Sequence, residues 1–104
     1  MAKPPLNPGL ERIAGALPQL PHCQLLEDMR NNPAGDWTIR NVETLCTQTG
    51  LSCKPPRRGS HYKVCSKHFN GMLTIPAQRR LKAPYIKLLV YMVDTHRAAE
   101  AQGD

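Results

Sequence analysis

Residues 55–67 read PPRRGSHYKVCSK, a segment that joins a proline stop, two arginines, a Gly-Ser step and an imidazole at the head of an alternating run. Each of these residue types has a use toward phosphate. Gly59 and Ser60 let backbone N–H groups approach an anion closely, because glycine carries no Cβ to hold it off. Arg57, Arg58 and Lys63 supply positive charge. His61 adds an imidazole, whose neutral form can serve as a general base. Alternation along residues 60–67 sets His61, Lys63 and Cys65 on one face of a strand and Tyr62 and Val64 on the other. Tyr62 and Val64 suit a core, so His61 and Lys63 are expected to share an open basic face. A histidine at the start of a strand is, taken alone, more often a surface or structural residue than a catalyst.

The charge extends beyond this segment. No acidic residue stands between Glu43 and Asp94, whereas the same span holds Lys54, Arg57, Arg58, Lys63, Lys67, Arg79, Arg80, Lys82 and Lys87. The net charge of +6 understates this local field. A solvated charged face usually carries both signs, so a span of one sign points to a phosphate-bearing partner. Aromatic residues are only 5% of the chain, which argues against a platform that holds single-stranded bases by stacking.

The elements that must position these residues follow from pattern. At 104 residues the chain suffices for one small domain. Residues 1–21 contain Pro4, Pro5, Pro8, Pro18 and Pro21 and are expected to form a flexible arm, with at most a turn of helix over Leu10–Leu17. Residues 22–31 read as a short helix that stops before Pro33. A second helix is expected from Thr38 to Thr49, capped by Thr38 or Asp36 and released at Gly50. Strands are expected at Leu51–Lys54, Ser60–Lys67 and Met72–Ile75, with Phe69-Asn70-Gly71 as a turn and Pro76 as a stop. A last helix is expected from Pro84 to Ala99, with Tyr85, Leu88, Leu89, Met92 and His96 as one apolar stripe widened by Ile86, Val90 and Val93. The expected fold class is therefore α+β: a three-stranded antiparallel sheet with helices on one face and the other face open.

No apolar run is long enough to cross a bilayer, and the N-terminal residues lack the apolar stretch of a secretory signal. A cytoplasmic location is expected, with Cys23, Cys46, Cys53 and Cys65 as reduced thiols.

In order, the segments LLEDMRNNP, the Thr49-Gly50-Leu51 exit, RRGSHYKV, LTIP and LKAPYIKLLV resemble the HicA family of toxins from toxin–antitoxin systems. The likeness covers about residues 24 to 99 and defines an expected domain over 22–100. It implies a double-stranded-RNA-binding-domain-like α-β-β-β-α fold. It also implies an mRNA interferase, a ribonuclease that cleaves mRNA and halts translation, neutralised by a cognate HicB-type antitoxin protein. The family's catalytic histidine falls on His61. A second histidine that often follows it is replaced here by Tyr62.

A mechanism fits these residues. Two-metal nucleases need converging carboxylates, which the basic span lacks, so no cofactor and no metal is expected. RNA carries its own nucleophile, the 2′-OH, from which His61 would take the proton. Lys54, Arg57, Arg58, Gly59, Ser60, Lys63, Lys67, Arg79, Arg80 and Lys82 are the expected RNA contacts. His68 is the one candidate acid for the leaving group, reaching across the hairpin. Three alternatives stand beside this reading. The first is a zinc site through Cys65 and His68 with Cys53 or Cys46, although no pair has zinc-ribbon spacing. The second is a cysteine enzyme built on Cys65. The third is a basic RNA-binding or interaction module of the same fold that does not cut.

Overall fold

In the computed structural model of the chain, residues 22–102 are described. The expected N-terminal arm lies outside them. Helix α1 spans Gln24–Asn31 and α2 spans Ile39–Thr49. Three strands follow: β1 (Ser52–Lys54), β2 (His61–Cys65) and β3 (Met72–Pro76). Helix α3 (Ala83–Ala101) closes the chain. The strands form one antiparallel sheet in the order β1-β2-β3, so the fold is α+β with an α-β-β-β-α succession.

Local chemistry sets the boundaries. Thr38 caps α2 through a reciprocal arrangement in which its hydroxyl accepts from the Asn41 N–H and the Asn41 side chain accepts from the Thr38 N–H. Two otherwise orphaned donors are satisfied in this way. The helix ends at Gly50, whose φ of 87° is a left-handed conformation that residues with a Cβ avoid. Pro84 stands in the first turn of α3, where a missing N–H costs nothing.

The core is aliphatic. Leu26 and Met29 of α1, Val42 and Leu45 of α2, Val64 and Ile75 of the sheet, and Ile86, Leu89 and Val93 of α3 are all buried. Each such side chain contributes about 1.5–3 kcal/mol relative to exposure. Arg30 closes α1 onto α3 with two hydrogen bonds to the Asp94 carboxylate, at 2.6 and 2.8 Å. The two side chains remain 39% and 43% exposed, so solvent screening keeps the contribution below about 1 kcal/mol.

Element ends shift by a residue or two from the sequence pattern, and three differences bear on the site. The buried stripe of α3 includes Ile86, Leu89, Val90, Met92, Val93 and His96, while Leu88 points outward at 53% exposure. Apolar residues nearly encircle this helix, so spacing alone does not select a face. The contacts with α1 and the sheet decide it. Strand β2 ends at Cys65 rather than Lys67, and Cys65 pairs with Met72. The connection between β2 and β3 is therefore residues 66–71, longer than a tight Asn-Gly turn. Pro76 is the last residue of β3, not the residue after it, and pairs with His61. Its missing N–H is tolerated because β3 is an edge strand.

Candidate functional site

The register of the sheet assembles the site. Strand alternation puts Tyr62 and Val64 on the helix side, where Val64 is buried in the core but Tyr62 only half-buried, and His61 and Lys63 on the outer side, where both are exposed. Lys54 of β1 lies directly opposite Lys63, whose other neighbour is Thr74 of β3. The outer face thus carries a row of Lys54, Lys63 and Thr74, with His61 and Pro76 forming the next row toward one end of the sheet. Like charges placed directly opposite one another across strands repel. An anion bound between them relieves that repulsion.

Two basic loops meet at the His61 end. The loop between β1 and β2 carries Arg57, Arg58, Gly59 and Ser60, all exposed. Gly59 has a φ of 77°, and no atom lies within 4 Å of where a Cβ would stand, so its need for glycine is conformational rather than steric. The loop between β3 and α3 carries Arg79 and Arg80 and leads into Lys82, the residue that precedes α3, and all three are exposed. The N–H of Ala77 donates to the Ser60 carbonyl, which ties the two loops together beside His61. The fold also brings Asp36 to this end, 3.4 Å from Arg80 in a pair exposed on both sides. The second loop is further fixed where the Leu81 N–H donates to the Trp37 carbonyl at 2.9 Å.

The other expected contacts fall elsewhere. Lys67 lies beyond the far end of β2, with its ammonium 3.7 Å from Glu100 of α3. His68 is at that end too, with Nε2 2.6 Å from the same carboxylate. This hydrogen bond holds Glu100 below the usual carboxylate range, and the positive charge of Lys67 adds to the effect. Strand rise places the Cys65 backbone about 13 Å from that of His61, and His68 lies past Cys65. His68 therefore does not reach across the hairpin to serve His61 as an acid. The same separation keeps Cys65 from acting with His61 on one reacting atom.

The thiols do not assemble the ligand set considered from sequence. Burial pushes the Cys46 thiol up to about 12, with Cys53 beside it adding to the rise. Burial raises Cys53 as well. Both stay protonated at neutral pH, the form that does not act as a nucleophile. Among the described residues, the side chains that come together as potential metal ligands are His68, His96 and Glu100. Sequence reading placed His96 among apolar neighbours, and it is fully buried. What pattern did not reveal is its bond to Ser66, at 2.6 Å from Nδ1 to Oγ. Ser66 Oγ accepts from the His68 N–H, so its own proton is available to that nitrogen. Burial holds His96 below the ordinary imidazole value.

No helix among the described residues is long and apolar enough to cross a membrane. No family model, no curated protein and no solved structure matches the chain. The class defined by fold and face is a small α+β protein with helices behind a three-stranded sheet and a cationic, histidine-bearing surface in front.

Proposed function

We propose that this protein is an endoribonuclease of the HicA type, which cleaves mRNA with His61 as general base and needs no metal for the reaction. The observation that carries the reading is the exposure of His61 on the open sheet face, at the junction of two basic loops joined by the Ser60–Ala77 hydrogen bond. RNA lies along that face with its phosphates against Lys54, Lys63 and the loops carrying Arg57, Arg58, Arg79, Arg80 and Lys82. The His61 ring takes the proton of a 2′-OH, and the freed oxygen attacks the adjacent phosphorus. Lys63 and the amides of Gly59 and Ser60 stabilise the charge that grows on the phosphorane oxygens. The 5′ oxygen leaves with a proton from solvent, giving a 2′,3′-cyclic phosphate and a 5′-OH. A HicB-type antitoxin, acidic where it meets this face, inhibits by covering it.

The deciding experiment compares wild type with His61→Ala on a labelled mRNA fragment in the presence of a chelator. The expected result is cleavage by the wild type, ends bearing cyclic phosphate, and RNA binding without cleavage by the variant. Binding without cleavage by the wild type would instead assign the face to an RNA-binding module. Cleavage by His61→Ala at the wild-type rate, or products ending in 3′-OH, would reject the scheme.

A further inference from the structure

The far end of the sheet holds a second cluster that the RNA face does not use. His68 comes from the connection between β2 and β3, while His96 and Glu100 stand one turn apart on α3. Their potential ligand atoms all lie within 4.8 Å of one another. One ligand is fully buried, His68 is mostly shielded, and Glu100 opens to solvent. Within this cluster, His96 Nε2 is buried with no hydrogen-bond partner. The Thr49 backbone of α2 lies close enough to influence the ring, yet no bond of good geometry forms. A buried ring nitrogen without a partner is rare in folded proteins.

We propose that His68, His96 and Glu100 bind one divalent cation of the zinc class, which clips the β2–β3 connection to the last turns of α3. Two imidazoles and one carboxylate suit Zn²⁺ and its neighbours rather than Mg²⁺ or Ca²⁺, which prefer all-oxygen shells. The short contact between His68 and Glu100 is a proton held between two groups that a metal would bridge instead. A tetrahedral ion with bonds of about 2.0–2.1 Å keeps its ligand atoms roughly 3.3 Å apart. The cluster reaches that spacing by side-chain rotation, with solvent-facing Glu100 turning inward and releasing Lys67. Metal binding at Nε2 shifts the ring proton to Nδ1, which then donates to Ser66 Oγ, so Ser66 becomes the outer partner that orients the ring. Water fills the remaining coordination position on the Glu100 side. The site is remote from His61, so its role is structural and does not depend on the reading of the RNA face.

The test titrates chelator-stripped full-length protein with Zn²⁺ against a chromophoric competitor, alongside His68→Gln and Glu100→Gln. Both substitutions lie outside the buried core, and their far-ultraviolet spectra check the fold. Expected are one high-affinity equivalent in the wild type, at least about tenfold weaker binding in each variant, and a zinc-induced rise in melting temperature that Mg²⁺ does not reproduce. The Co²⁺ complex should show ligand-field bands of nitrogen and oxygen donors. Equal affinity in the variants, absence of stoichiometric binding, or a thiolate-to-cobalt charge-transfer band assigning the ion to cysteines would each overturn the proposal.

Discussion

Lys63 sits where two demands conflict. It faces Lys54 across one strand pair and stands on the same surface as His61. Lys63→Gln should therefore move two measurements in opposite directions. Removing one of two opposed cations should raise stability by about 0.2–1 kcal/mol in urea unfolding. It should also weaken RNA binding at every sequence and reduce the salt dependence of log K by about one unit. A loss of stability with unchanged binding would show that Lys63 serves packing rather than an anion. These two residues were legible in the chain because strand parity depends only on spacing. Lys67 and His68 were not, since what claims them is Glu100, 32 residues beyond His68. Charge counted along a sequence does not say which cations the fold will neutralise, and Asp36 beside Arg80 repeats that lesson.

Among the elements, α2 sets the height at which β1 enters the sheet, and therefore where Lys54 stands. Its two ends are held by different physics. Thr38→Ala removes the reciprocal cap and should cost about 1 kcal/mol in the denaturation midpoint. Gly50→Ala should cost about 1–2 kcal/mol from the left-handed backbone alone. The added Cβ would also stand 3.3 Å from His96 Nε2, so the buried ring must shift as well. Equal stability of Gly50→Ala and wild type would contradict this account. Both caps could be read from sequence because they are local devices. The face of α3 could not, because its apolar residues run nearly all the way round, and only the packed partners separate buried Leu89 from exposed Leu88. Exposed Leu88, Tyr91 and Met72 show what that ambiguity left on the surface.

For the whole molecule in its metal-free form, buried His96 makes stability depend on acid. Its ring is fully buried, and burial, the largest influence, holds it below the ordinary imidazole value. His68 and Lys67 act in the same direction, while Glu100 opposes them. An unfolded chain takes up the proton near the ordinary value of roughly 6.5, whereas the folded chain does so only at lower pH. The unfolded state therefore binds more protons in that interval, and stability must rise with pH across it. The urea midpoint should be level above about pH 6.5 and fall as the solution is acidified toward the folded-state value. Glu100, also depressed, adds a smaller screened loss at still lower pH, as its carboxylate is protonated. A midpoint that climbs on acidification would contradict the burial of a neutral ring.

The chain contains a single tryptophan. Trp37 accepts the Leu81 N–H at 2.9 Å and donates its indole N–H to the Asn32 carbonyl at 2.7 Å. Its fluorescence is thus mechanically linked to the segment bearing Arg79, Arg80 and Lys82. A polyanion that draws those cations toward itself should alter the emission of Trp37 without any label being attached, giving a native optical readout of occupancy at that end of the molecule.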